Sequence, residues 1–254
     1  MQHFILVHGT GHGAWCWYKL APLLREAGHR VTALDLAASG VDPRQLDELE
    51  SFADYNAPLM ELMASLPKRE RVVLVGHSFG GVSLALAMER FPEKISAAVF
   101  VTALMPSPTT SVTQIAEKFF EGHPLEAYLD SEVEITDDLR SFSITFGYKY
   151  LATKLYQLSP PEDLALGAAL MRPGSFFFGD LQKRMVVTQE KYGSARRVFV
   201  VCKEDAAMAK DFQRWMIKRS PEAVRVKEID GADHMVMLSK PRELCKVLVE
   251  IARG

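Results

Sequence analysis

The stretch Arg71-Val72-Val73-Leu74-Val75-Gly76-His77-Ser78-Phe79-Gly80-Gly81-Val82 governs the reading of the whole chain. From Arg71 to Val75 it is a continuous apolar run, too short for a helix and suited to a strand buried on both faces. The chain then turns at glycines and enters a small-residue helical pattern from Val82 to Arg90. Gly76-His77-Ser78-Phe79-Gly80 fits G-x-S-x-G, in which a serine sits on a sharp turn between a strand and a helix. A side chain at either flanking position would obstruct the turn that lifts the hydroxyl clear of the sheet. Five residues alone are a weak signal, but a strand before them and a helix after them supply the required context. Ser78 is therefore the expected nucleophile.

Working outward, short β-branched runs alternate with helical patterns, the rhythm of an α/β chain with a parallel sheet wound by crossover helices. The strand runs are Phe4 to Val7, Val31 to Leu34, Arg71 to Val75, Ile95 to Phe100, Arg197 to Cys202 and Val224 to Ile229. Helical spacing covers Tyr18 to Ala27, Phe52 to Leu66, Val82 to Arg90, Asp211 to Lys218 and Pro241 to Ala252. Between about Ser107 and Asp180 the rhythm lapses into helix-like stretches rich in aromatics. That interval reads as an inserted cap, giving a core of residues 1–106 and 181–254 and a cap of 107–180.

A serine hydroxyl needs a base within reach. Among the seven histidines, His234 stands out because it follows the last strand, on a loop that a parallel topology brings to the carboxyl edge where Ser78 lies. His3, His29 and His123 read as surface or capping residues, and His77 as a shaper of the turn. The acid that orients the base belongs between them in chain order. Asp205 meets that demand directly after the strand ending at Cys202, with Glu204 its nearest rival and Asp230 and Asp233 weaker ones. The oxyanion needs two amide donors, one following the serine and one from the loop after an early strand. Phe79 supplies the first, and Thr10, within His8-Gly9-Thr10-Gly11-His12-Gly13, the second.

Bulk composition narrows the partners. With 254 residues, 48% of them hydrophobic and 24% charged, and a formal net charge of −2, the chain is of ordinary globular type and offers no basic surface for nucleic acid or an anionic membrane. No apolar run approaches the ~20 residues of a membrane span. Cys16, Cys202 and Cys245 are odd in number and widely spaced, which suggests neither a zinc site nor a disulfide framework. Met1-Gln2-His3 passes straight into the first strand, without the regions of a signal peptide. A cytoplasmic enzyme with reduced thiols, no metal and no cofactor is the expectation. A homodimer stays open.

At this point the residues resemble a known family along nearly the whole chain. Val7-His8-Gly9, His12-Gly13-Ala14-Trp15, Leu34-Asp35-Leu36-Ala37-Ala38-Ser39-Gly40, Gly76-His77-Ser78-Phe79-Gly80-Gly81, Pro161-Glu162-Asp163-Leu164-Ala165-Leu166 and Gly231-Ala232-Asp233-His234-Met235 are similar to the plant methylesterase and hydroxynitrile lyase family of α/β-hydrolases. The resemblance implies a mostly parallel sheet with helices on both faces, a mainly helical cap, the triad Ser78, Asp205 and His234, and the oxyanion pair Thr10 and Phe79. By analogy of position it also implies a substrate pocket formed by Gly9, His12, Leu104, Tyr128, Phe146, Tyr156, Phe176 and Met235. The lyases carry threonine or asparagine where Gly9 stands, and some carry lysine where Met235 stands, so the sequence sides with the esterases. One departure is the plain stretch Ala206-Ala207-Met208-Ala209-Lys210 after Asp205.

The expected activity is hydrolysis of small, chiefly methyl, esters of plant hormones or specialised metabolites through an acyl-enzyme. Its rivals are cyanohydrin cleavage and a non-enzymatic receptor built on the same fold.

Overall fold

The computed structural model describes residues 1–135, 142–220 and 223–254. Nine strands are described: β1 His3–Val7, β2 Arg30–Leu34, β3 Val72–His77, β4 Ile95–Val101, β5 Glu132–Ile135, β6 Phe142–Thr145, β7 Gly174–Ser175, β8 Arg197–Cys202 and β9 Arg225–Ile229. Six of them form one sheet in the order β2-β1-β3-β4-β8-β9, with every pairing parallel. The six strands foreseen in the sequence are these six, Arg197 to Cys202 at both ends and the others within two residues.

The continuous apolar runs are explained by burial on both faces. Successive side chains of a strand point to opposite sides, so Ile5, Val7, Leu74, Phe100, Phe199 and Val201 join one core while Phe4, Leu6, Val73, Val75, Val99 and Val200 join the other. The first core is closed by the helices Phe52–Ser65 and Gly80–Arg90, through Leu59, Met63, Leu84 and Met88. The second is closed by Leu20–Glu26 and Pro241–Arg253, through Leu20, Leu24, Leu244 and Leu248. No helix among the described residues is long and apolar enough to cross a membrane.

The interval 107–180 is described apart from residues 136–141, and that part of the expected cap lies outside the described residues. It contains the helices Val112–Glu121 and Pro161–Leu170 and, beyond the helical expectation, the antiparallel sheet β5-β6-β7. Alternation in these strands is short and interrupted, with β7 only two residues long, so periodicity gave them no signal. The expected boundary at 180 falls inside the helix Phe178–Arg184.

Polar groups fasten this interval to the sheet domain. Buried Asp163 accepts hydrogen bonds from the Tyr18 hydroxyl at 2.6 Å and Lys19 Nζ at 2.5 Å. The Arg172 guanidinium donates to the carbonyls of Asp42 and Arg44, each at 2.6 Å. Asp233, buried beside the expected base, accepts from the Leu158 amide at 3.0 Å and the Ser159 hydroxyl at 2.8 Å.

Because Leu74 is fully buried at the centre of the sheet, Leu74→Ala is expected to cost about 3 kcal/mol of unfolding free energy. Val226 on the edge strand β9 is 42% exposed, and Val226→Ala is expected to stay within about 0.5 kcal/mol. Urea unfolding followed by circular dichroism measures both.

Candidate functional site

β3 ends at His77, and Ser78 takes φ 54°, the left-handed conformation. For a side chain with a Cβ this costs roughly 1–3 kcal/mol and persists only where the surroundings over-determine it. Here they do. The Ser78 amide donates to the Val101 carbonyl at 3.3 Å, and the Ser78 carbonyl accepts from the amides of Gly81 at 3.1 Å and Leu104 at 3.0 Å. The flanking glycines are required by backbone contact: a Cβ on Gly76 would lie 2.8 Å from the Gly80 carbonyl oxygen, and one on Gly80 would lie 2.5 Å from the His8 carbonyl oxygen. Ser78 is half-buried in a stretch otherwise buried, so its hydroxyl stands at the edge of the packing.

Asp205 and His234 arrive from the loops after β8 and β9. His234 Nδ1 lies 2.7 Å from Asp205 Oδ2. A carboxylate only accepts, so Nδ1 carries the proton and Nε2 is left bare as an acceptor. Asp205 Oδ2 also accepts from the Thr102 hydroxyl at 2.5 Å, and Oδ1 accepts from the amides of Ala207 at 2.8 Å and Met208 at 2.7 Å. The plain stretch after Asp205 thus works through its backbone, which is why its side-chain chemistry carried no signal. Thr102, at φ 37° just beyond β4, is a partner the sequence reading missed.

The rival residues have other partners. Glu204 accepts from the Ala232 amide at 3.2 Å, Asp230 pairs with Lys203 at 2.5 Å, and Asp233 holds Leu158 and Ser159 as described. His3 meets Glu70 and Thr32, His29 accepts from the Gln2 amide, and His123 stacks on Phe119 with ring centroids 4.1 Å apart. His77 donates from Nε2 to the His234 carbonyl at 2.8 Å, which fixes the loop carrying that residue.

Two histidines shape the loop after β1. The Leu36 amide donates to His8 Nε2 at 3.0 Å, so His8 donates from Nδ1 to the Gly9 carbonyl at 2.8 Å. The His12 ring spans the Thr10 carbonyl at 3.0 Å and the Tyr156 hydroxyl at 2.8 Å. With the Gly9 carbonyl held on that side, the planar trans peptide turns the Thr10 N–H the opposite way. Neither the Thr10 nor the Phe79 amide has a hydrogen-bond acceptor among the described residues.

Ser78, Phe79, Thr10 and His234 border one cavity, together with His12, Leu104, Tyr128, Phe146 and Phe176 of the expected pocket. Aromatic neighbours that the residue-by-residue analogy left out, among them Phe119, Phe120, Tyr150 and Phe178, complete the wall. Three expected pocket residues do not border it. Gly9 packs behind Ser78, where a Cβ would come within 2.8 Å of the serine Cβ. Tyr156 lies one layer out, behind His12, to which it is bonded. Met235 is fully buried in the core on one side of the sheet, because the chain turns inward immediately after His234. Among the described residues no group of His, Cys, Asp and Glu is placed to hold a metal ion.

A family model described as the alpha/beta hydrolase family matches residues 4–247. The chain belongs to that family. This alpha/beta hydrolase is 51% identical to polyneuridine aldehyde esterase of Rauvolfia serpentina, over 99% of its own length and 96% of the relative's. It is 52% identical to methyl jasmonate esterase 1 of Vitis vinifera, over 100% and 97%. The crystal structure of polyneuridine aldehyde esterase superposes with a TM-score of 0.94 at 50% identity, covering 99% of each chain. The expected kinship of this hydrolase with the plant methylesterases therefore holds.

Burial holds the imidazoles of His12 and His77 neutral, with His12 pushed down to about 3 and His77 also well below its ordinary value. The unfolded chain protonates both near pH 6.5 while the folded hydrolase does not, so stability is full above that pH and falls as the pH drops below it. Between pH 7 and pH 5 His12 is expected to remove about 2 kcal/mol, and His77 acts in the same direction. Urea titrations at the two pH values measure the loss, and His12→Asn is expected to reduce the dependence by the His12 share.

Proposed function

We propose that this chain hydrolyses methyl esters of apolar or aromatic acids through an acyl-enzyme formed on Ser78. The observation that carries the reading is the 2.7 Å bond between His234 Nδ1 and Asp205 Oδ2, beside a serine held in the left-handed conformation on the same cavity. In this mechanism His234 Nε2 takes the hydroxyl proton as Ser78 Oγ attacks the ester carbonyl. The amides of Thr10 and Phe79 receive the developing oxyanion; they are unclaimed by protein acceptors among the described residues, so they need no reorganisation at the moment of reaction. His234 returns its proton to the departing alkoxide, methanol leaves, and water admitted to the site hydrolyses the acyl-enzyme by the reverse sequence. Asp205 keeps the imidazole in the productive tautomer and stabilises its cationic form. Residues 107–180 act as the cap that excludes water and gives the acyl group an apolar wall.

Relatives about half identical to the chain bear esterase names, one of them for methyl jasmonate, which supports methyl esters of plant acids as substrates. Cyanohydrin cleavage is not favoured. Gly9 supplies no hydrogen-bonding side chain, and Met235, buried in the core, supplies no cation for departing cyanide. The receptor reading has no observation of its own. Three free cysteines, two of them buried, accord with a reducing cytoplasm as the place of action.

Ser78→Ala is expected to abolish labelling by a fluorophosphonate and to lower kcat on a p-nitrophenyl ester by 10³-fold or more. Asp205→Asn is expected to lower kcat by roughly 10⁴-fold while retaining the fold, as the wrong imidazole tautomer would. Gly9→Ala, whose Cβ would press on Ser78, is expected to lower kcat about tenfold or more with a smaller change in KM. Steady-state kinetics with circular dichroism separates these outcomes from misfolding. Labelling or turnover that survives Ser78→Ala overturns the reading.

A further inference from the structure

Most side chains bordering the cavity from residues 104–178 are aliphatic or aromatic hydrocarbons, and the exceptions are the two tyrosines Tyr128 and Tyr150. Tyr128 is 3% exposed, and its hydroxyl oxygen is buried without a hydrogen-bond partner among the described residues. A buried hydroxyl left unpaired costs about 1–3 kcal/mol, whereas phenylalanine would pack the same ring without that cost. The ring is held in place, parallel to Tyr150 within 15° at a centroid distance of 5.7 Å and tilted against Phe142 at 6.0 Å. Its hydroxyl is therefore preset rather than free to seek a partner elsewhere.

The other unpaired polar atoms of the cavity wall, Thr10 Oγ1 and His77 Nδ1, belong to the loops around the nucleophile. Tyr128 lies instead in the 3-10 turn Leu125–Tyr128 of the interval 107–180, among residues that face the acyl group in the proposed function. Burial pushes the phenol up from its ordinary value, so it keeps its proton throughout the working range and acts as a donor.

We infer that the Tyr128 hydroxyl is a specificity determinant that donates a hydrogen bond to an acceptor oxygen on the acyl group, distinct from the ester carbonyl. The substrate class so selected is a neutral methyl ester carrying a keto, ether or hydroxyl oxygen on an otherwise apolar acyl chain or ring. Among the described residues no Asp, Glu, Lys or Arg side chain borders the cavity, so a second carboxylate on the substrate would be desolvated without a lysine or arginine to compensate it. This inference rests on the proposed esterase function, since it takes the cavity as the acyl site.

The test compares shape-matched methyl esters that differ by one acceptor: methyl 4-oxopentanoate against methyl pentanoate, methyl 5-oxohexanoate against methyl hexanoate, and methyl 4-methoxybenzoate against methyl 4-ethylbenzoate. For at least one pair the wild type is expected to favour the oxygenated ester by about tenfold in kcat/KM, the value of one buried hydrogen bond. Tyr128→Phe, which keeps the ring stack, is expected to bring that ratio to about one, and Tyr150→Phe to leave it in place. Calorimetric binding of the same pairs to Ser78→Ala protein, with and without Tyr128→Phe, reads the same ratio with no turnover. A wild type without preference in any pair, or a preference that Tyr128→Phe leaves intact, overturns the inference. Absence of hydrolysis of every ester by the wild type overturns the esterase reading instead, and the binding ratio then judges Tyr128 by itself.

Discussion

The carboxylate of Asp205 gathers four donors from three parts of the chain: the Thr102 hydroxyl beyond β4, the Ala207 and Met208 amides in its own loop, and His234 Nδ1 from the loop beyond β9. β4, β8 and β9 are neighbours in the sheet, so this one group fastens their carboxyl ends to one another. Three neutral donors satisfy its lone pairs and hold it still while the fourth contact directs the imidazole. A carboxylate that could rotate would leave His234 to choose its own tautomer. Geometry at the candidate nucleophile is bounded in the same way, since the Ser78 amide and carbonyl are tied to β4 and to Leu104.

Around that centre, histidines serve as braces as well as chemistry. His77 holds the backbone of His234, His8 holds the Gly9 carbonyl, and His12 links the Thr10 carbonyl to Tyr156. Neutral imidazole suits this work because it offers one donor and one acceptor on a rigid ring. The same burial that makes them good braces exposes the fold to acid. Rigidity at the carboxyl edge and sensitivity to protonation thus have one origin.

The interval 107–180 covers the cavity with aromatic side chains and joins the cores on both sides of the sheet, through Ile115 and Phe177 on one side and Leu151 and Leu155 on the other, and polar groups add to that attachment. Asp163, Arg172 and Asp233 each bridge the two through hydrogen bonds. Such bonds are directional and add a fixed orientation to the apolar contacts. Asp233 precedes His234 in the chain, so the placement of this interval and of the candidate base is coupled by a single peptide.

The residues around Ser78, the six short strand-like runs and the chain order of Ser78, Asp205 and His234 were sufficient to establish the fold and to nominate the triad. A strand buried on both faces and a serine turn flanked by glycines obey local rules of sterics and periodicity. Tertiary structure decided what depends on the meeting of distant segments. It brought Thr102 and the Ala207 and Met208 amides to Asp205, turned Met235 into the core, moved Tyr156 behind His12, and built β5-β6-β7 from strands too short to show a period. It also left the Tyr128 hydroxyl without a partner on the cavity wall. Backbone donors and missing partners have no residue type of their own, so only the folded chain reveals them.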